Sequence, residues 1–146
     1  MISFESLKEI IRVLFYVIVP AVLIAISIYD LKKRIIPDWL LVIGSIMAAQ
    51  TSVIYGYWLQ AAFGALAAFF SMAGISIVSR GKLGWGDAKM AAMTGCILAF
   101  PGILYALGTV WTVCVLVWLA PRAPKTLAFG ALLSAVVLAM MFYRLR

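Results

Sequence analysis

Gly84-Trp85-Gly86-Asp87-Ala88-Lys89 separates two long apolar runs and contains one of only five acidic residues in a chain of 146. A carboxylate is expensive to place beside hydrocarbon, so its presence here needs a physical reason. Glycines permit a tight turn and the close approach of another chain. Asp87 falls where an apolar helix is predicted to begin, and free N–H groups at a helix start stabilise a carboxylate. We therefore expect this stretch to close a loop and open a helix.

The composition around this stretch is that of an integral membrane protein. Hydrophobic residues make up 66% of the chain and charged residues 12%, with a mean hydropathy of +1.14. Soluble domains average about half apolar and about a quarter charged residues. The net charge of +7 is then expected to set topology and to contact membrane lipids, and it does not indicate nucleic-acid binding.

Six apolar runs predict six transmembrane helices joined by short loops. They cover residues 11–29, 39–54, 59–78, 88–100, 103–120 and 127–143. Membrane spans must be helices or closed barrels, and runs of this length are typical of helices. The predicted fold is an all-α integral membrane protein, with one transmembrane domain over residues 1–146.

The basic residues predict the orientation of this bundle. One side receives eight of them: Lys32, Lys33, Arg34, Arg80, Lys82, Lys89, Arg122 and Lys125. The two loops on the other side carry no charge. Because positively charged loops stay in the cytoplasm, we expect a multi-pass protein of the cytoplasmic (inner) membrane with both termini outside.

Small residues also recur four positions apart, a spacing that brings helices close together in lipid. The pairs are Gly44 with Ala48, Ala61 with Ala65, Gly64 with Ala68, Ala91 with Gly95, and Gly130 with Ser134. We expect these pairs to mark helix–helix contacts.

The absence of histidine restricts the chemistry of the chain. No histidine occurs among the 146 residues, which excludes Ser-His-Asp and Cys-His catalysis and most zinc chemistry. Cys96 and Cys114 lack the spacing of a metal site or a disulfide framework. We therefore expect no metal and no cofactor. Any catalysis must use carboxylate, lysine, serine or tyrosine groups.

Three acids, Asp30, Asp38 and Asp87, fall at the cytoplasmic edge of the predicted bundle. Ionisable residues at a span boundary are candidates for function, although each could instead cap a helix or pair with a nearby lysine. We interpret Asp38 as a cap at the start of the second helix. A functional role is favoured for Asp30, at the end of the first helix, and Asp87, at the start of the fourth.

Two aspartates that meet can share one proton and hydrolyse a peptide bond without histidine, metal or covalent nucleophile. A helix N-terminus favours a charged carboxylate and a C-terminus disfavours it. We therefore hypothesise that Asp87 is the more often ionised partner and Asp30 the more often protonated one.

Two stretches resemble the type IV prepilin peptidases, which include the archaeal preflagellin peptidases. One is Asp30 followed seven residues later by Pro37 within Ile36-Pro37-Asp38, and the other is the Gly84–Lys89 stretch. The resemblance implies a six-helix membrane aspartic endopeptidase of the Gly-x-Gly-Asp type, with Asp30 and Asp87 as its catalytic residues. The implied supporting or substrate-binding residues are Gly84, Gly86, Lys89, Pro37 and Asp38.

The chain differs from other members of that family in two further features. Members tend to carry a Pro-Phe-Gly-Pro-like segment before the last helix, and here it is Ala128-Phe129-Gly130-Ala131, without the flanking prolines. Larger bacterial members have a cytoplasmic domain with paired cysteines, associated with N-methylation. This chain is similar to the short form that serves Flp/Tad-type pili, so methyl transfer is not expected.

The resemblance also implies the substrate. Prepilins and pseudopilins of type IV pilus and type II secretion systems have a short basic leader before a hydrophobic helix, and they are cleaved at the cytoplasmic membrane face. Two alternatives stay open: a small transport or pilus-assembly subunit whose Asp30 and Asp87 bind a cation or proton, and an intramembrane protease of the presenilin kind. The sequence does not fix the particular pilin or the oligomeric state.

Overall fold

The computed structural model describes residues 4–78, 84–119 and 128–144, which form six α-helices. The helices are α1 (Phe4–Lys33), α2 (Asp38–Ile54), α3 (Trp58–Val78), α4 (Trp85–Leu98), α5 (Gly102–Leu119) and α6 (Phe129–Arg144). Each predicted apolar run corresponds to one helix, and the described residues contain no β-strand. The prediction of an all-α protein is confirmed.

Two of the described helices are long and apolar enough to cross a membrane. The qualifying segments are Glu5–Lys33 and Trp58–Ile77, in α1 and α3. Shorter apolar segments lie in α2, α5 and α6, namely Asp38–Ile54, Gly102–Val117 and Phe129–Tyr143. The helix α4 has 14 residues, or a length of about 21 Å at about 1.5 Å per residue. Six complete spans therefore stay a prediction.

The segment between α1 and α2 is set by local backbone conformation. Arg34 has a left-handed φ of 55°, and its N–H donates to the carbonyl oxygen of Asp30 at 3.1 Å. This conformation cannot continue a right-handed helix, so α1 ends there. Pro37, with φ −67° and an extended ψ of 126°, then directly precedes α2. The predicted place of Pro37 at a helix start is thereby confirmed. Proline suits this position because a backbone N–H there would have no hydrogen-bond partner within the helix.

The crossing of α3 with α4 is the closest backbone contact involving a glycine. A Cβ added to Gly95 would meet the backbone oxygen of Gly64, and it would lie 2.7 Å from the Gly64 carbonyl carbon. Nearby, the N–H of Phe100 donates to the backbone oxygen of Gln60 at 2.9 Å, which ties the end of α4 to the start of α3. The predicted packing through small residues is confirmed at this crossing.

The helix α4 lies at the centre of the arrangement. It packs against α2, α3, α5 and α6, whereas α1 packs against α2 and α6. Among the described residues α1 and α4 do not pack directly on each other. The end of α1 and the starts of α2, α4 and α6 nevertheless meet at one end of the bundle, through the contacts of the site described next.

Candidate active site

Asp30 is buried near the end of α1, with 6% of its surface exposed. Its Oδ2 accepts a hydrogen bond of 2.9 Å from the N–H of Ala131, a residue 101 positions away in the chain. Ala131 belongs to the first turn of α6, where backbone N–H groups have no partner within the helix. The side chain of Asp30 therefore caps α6 at the end where the helix dipole is positive.

Gly130 allows α6 to approach Asp30. A Cβ added to Gly130 would lie 2.9 Å from Oδ2 of Asp30 and 3.2 Å from its Cγ, which is closer than side chains normally tolerate. The sequence comparison singled out Ala128–Ala131 only as a family segment that had lost its prolines, so it missed this contact. The retained Phe129-Gly130 pair was the signal that pointed to it.

Ile36 links the starts of α4 and α6 at the same end of the bundle. Its Cβ lies 3.6 Å from the position of a Cβ on Gly86, and its Cδ1 lies 3.2 Å from the position of a Cβ on Gly130. The segment Ile36-Pro37-Asp38 is thereby held beside both helix starts. Sequence reasoning used this segment as a motif and assigned no contact to Ile36.

Asp87 occupies the first turn of α4, immediately before the predicted apolar run 88–100, and is half-buried. Burial, and after it the negative charge of Asp30, raise the pKa of Asp87 to about 6, while a backbone hydrogen bond with Gly84 acts to lower it. The effect of Asp30 means that the two carboxylates lie within electrostatic reach of each other. The structure thus brings together the two aspartates that the sequence selected.

The raised pKa of Asp87 runs against one half of the expected division of charge, the more often ionised Asp87. We hypothesised an ionised Asp87 because it starts a helix, yet burial and the neighbouring Asp30 favour its protonated form. Asp30 ends α1, but it accepts the free N–H of a different helix start, that of α6. The hypothesis considered only the helix to which each residue belongs, and it left out burial and the contacts between helices.

Asp38 and Lys89 form an ion pair that joins the starts of α2 and α4. The Nζ of Lys89 lies 2.9 Å from Oδ1 of Asp38, and the two side chains are 51% and 70% exposed. Pro37 precedes the helix, and no side chain caps the start of α2. The interpretation of Asp38 as a helix cap is therefore wrong, because its carboxylate turns to a lysine on α4.

Gly84 and Gly86 do not make the tight turn that the sequence suggested. Gly84 has an extended conformation with φ −70°, and Gly56 is the only glycine with positive φ in the described part of the chain. A Cβ on Gly84 would lie 3.6 Å from Oδ2 of Asp87, which is ordinary contact. Space for a second chain stays the predicted reason for these glycines.

Residues 4–78, 84–119 and 128–144 contain no group of three or more aspartate, glutamate, cysteine or histidine side chains that could hold a metal ion. Cys96 and Cys114 are free thiols, each half-buried.

Four of the basic residues that predict the orientation, Arg80, Lys82, Arg122 and Lys125, lie outside the described residues.

Fold and site together define an all-helical protein with two long apolar helices and two interacting carboxylates at one end. The model of the type IV leader peptidase family matches residues 17–144, which include Asp30, Asp87 and the Ala128–Ala131 segment. The chain belongs to this family, and the resemblance to prepilin peptidases is confirmed. It is accordingly a leader-peptidase-like protease, and the family together with the two apolar helices supports a membrane protein. Neither the curated proteins nor the solved structures compared with it gave a significant match.

Proposed function

We propose that this protein removes the short basic leader from type IV prepilins or pseudopilins, with Asp30 and Asp87 as acid and base. The observation that carries the proposal is the meeting of these two carboxylates, from α1 and α4, at one end of the bundle. The two helices do not pack directly on each other. Instead, α2 and α6 each pack against both α1 and α4, and the carboxylates lie where these four helices meet.

The reaction starts from an ionised Asp30 and a protonated Asp87. Asp30 takes a proton from a water molecule, whose oxygen attacks the scissile carbonyl carbon. Asp87 donates its proton to the carbonyl oxygen, which leaves a neutral diol. When the C–N bond breaks, Asp30 returns its proton to the leaving amine and Asp87 takes one from a diol hydroxyl. Both aspartates thereby regain their starting states.

The location of the reaction follows from charge. Lys32, Lys33 and Lys89 are exposed at the end of the bundle that holds the two aspartates. Positively charged loops face the cytoplasm, so we place the site at the cytoplasmic face of the inner membrane. In this arrangement residues 1–146 form one domain of six spans with both termini outside, and membrane lipids surround it.

The decisive experiment is co-expression with a prepilin whose leader removal is seen as a mobility shift. We expect Asp30→Asn and Asp87→Asn each to abolish processing, because each removes one of the two groups that exchange protons. Asparagine keeps an acceptor oxygen for the N–H of Ala131, so the Asp30 variant should still fold and insert in the membrane.

The matched control is Glu9→Gln, which changes an exposed acid near the other end of α1. It should process the prepilin as the unmodified protein does. Processing at the normal rate by either aspartate variant would contradict the two-aspartate mechanism. Membrane fractionation of each variant shows whether a loss of processing reflects chemistry or failed insertion.

A further inference from the structure

The end of the bundle that holds Asp30 and Asp87 is called the active end below. Asp38 is the one acid at this end that the proposed reaction does not use. The chain has five acidic residues. Glu5 and Glu9 lie near the start of α1, about 38 Å and about 32 Å from Asp30 at about 1.5 Å per residue. Asp30 and Asp87 form the catalytic pair. Asp38 therefore has the only carboxylate at this end that can bind a cationic group without being part of the proposed catalytic pair.

The position of Asp38 is fixed relative to the catalytic pair. It follows Ile36 by two residues, and Ile36 contacts both α4 and α6. Its carboxylate accepts a hydrogen bond of 2.9 Å from the Lys89 ammonium group. Lys89 stands two residues beyond Asp87 in α4, a rise of about 3 Å along the helix axis. The Asp38 carboxylate thus lies within the length of one lysine side chain of the helix turn that carries Asp87.

The end of the bundle that carries Asp38 also carries other basic residues. Lys32 and Lys33, which end α1, are both exposed. A basic leader that approaches this rim meets repulsion unless a carboxylate offsets it. Asp38 is 70% exposed and its lysine partner 51%, so both groups are hydrated and the pair can exchange partners at little expense.

We propose that Asp38 binds a lysine or arginine side chain of the leader and thereby determines the specificity for basic leaders. This inference rests on the proposed function. Lys89 occupies the carboxylate in the absence of substrate and is displaced by the incoming basic side chain. An extended chain spans about 3.3–3.6 Å per residue. Basic residues a few positions before the scissile bond can therefore reach Asp38 while that bond lies at the aspartates.

The test uses the protein reconstituted in lipid vesicles with three substrates that share one hydrophobic helix. Their leaders differ only at the basic positions, which are lysine, glutamine or glutamate. We expect Asp38→Asn to lower the kcat/KM ratio of the lysine leader to the glutamine leader about fivefold. Asp38→Lys should lower this ratio about 10-fold or more and favour the glutamate leader, whereas Asp38→Glu should retain the original preference.

The control is Glu9→Gln, which removes an exposed, ion-paired carboxylate from the other end of α1 and should leave the ratio unchanged. A charge effect also weakens as salt is raised, so the preference for lysine should decline with ionic strength. If Asp38→Asn and Asp38→Lys slow the cleavage of all three substrates equally, Asp38 does not discriminate between the leaders. The proposed peptidase function is not contradicted by that result. If the unmodified protein cleaves none of the three leaders, the proposed function itself is overturned.

Discussion

The contact of Gly95 with Gly64 and the contact of Gly130 with Asp30 both leave no room for a Cβ. At the first, the atoms that a Cβ would meet belong to the backbone of α3. At the second, they belong to the side chains of Asp30, which is buried, and Ile36. A clash at the first contact must move a helix, while a clash at the second can be relieved by moving side chains. The same steric rule therefore applies to the fold at one place and to the proposed catalytic pair at the other.

The largest effect is expected for Gly95→Ala. The added methyl group would press on the backbone of Gly64, which can yield only if α3 and α4 separate. Overpacking of a core commonly costs about 1–3 kcal/mol, and the rigid neighbour places this site at the upper end or beyond. We expect a large fall in the thermal unfolding temperature and in the yield of folded protein, measured after purification in detergent.

Gly74→Ala is the matched control for this helix pair, because nothing lies within 4 Å of the position of its Cβ on α3. Its unfolding temperature should stay the same or rise slightly, since alanine restricts the unfolded chain. Equal stability of the Gly95 and Gly74 variants would remove the basis for the comparison.

Gly130→Ala is expected to separate activity from folding. The methyl group would displace the Asp30 carboxylate from the N–H of Ala131 and from its orientation towards the substrate. A misplacement of about 1 Å can slow catalysis about 100-fold, so we expect a loss of that order in kcat with a much smaller change in unfolding temperature than for Gly95→Ala.

The control for Gly130 is Gly102→Ala, which alters the first turn of α5 and meets only ordinary contact with Leu98 at 3.6 Å. It should keep nearly full activity. A Gly130 variant that unfolds as easily as the Gly95 variant would show that both glycines serve the fold alone.

The smallest effect is expected from pH. The proposed reaction needs a protonated Asp87, and its pKa is raised to about 6 by burial and by Asp30. The required form is present below that pH and is lost as the pH rises through it, so kcat/KM should fall about fivefold between pH 6 and pH 7. Initial cleavage rates across this range test the effect.

Helix content measured in the same samples should stay constant. The contact of Gly64 with Gly95, which joins α3 to α4, involves no titrating side chain. A kcat/KM that rises over this interval would contradict Asp87 as the proton donor. A parallel loss of helix would place the pH effect in the fold and not in the site.

Much of this arrangement is predictable because it depends on properties that are local in sequence. Apolar runs long enough for helices, broken by charge and proline, gave all six described helices. The spacing of Asp30 to Pro37 and the Gly84–Lys89 stretch selected both aspartates. Each of these signals lies within a few residues, where helix geometry and composition are sufficient.

What could not be predicted depends on contacts between distant segments. The hydrogen bond from Ala131 to Asp30 joins residues 101 positions apart, and its donor is a backbone group that no side-chain pattern reveals. The pairing of Asp38 with Lys89 was missed for the same reason, because a local interpretation assigned Asp38 to its own helix. The raised pKa of Asp87 could not be foreseen from the sequence, because burial arises only when the helices pack.

The hydrogen bond between α6 and Asp30 also has a consequence for biogenesis. A protein is made from its N-terminus onward, and α6 follows the other five described helices in the chain. A nascent molecule that has inserted only α1–α5 holds Asp30 without the N–H that orients it. Peptidase activity is therefore expected to begin only after α6 docks, so that immature chains in the membrane do not cleave their neighbours.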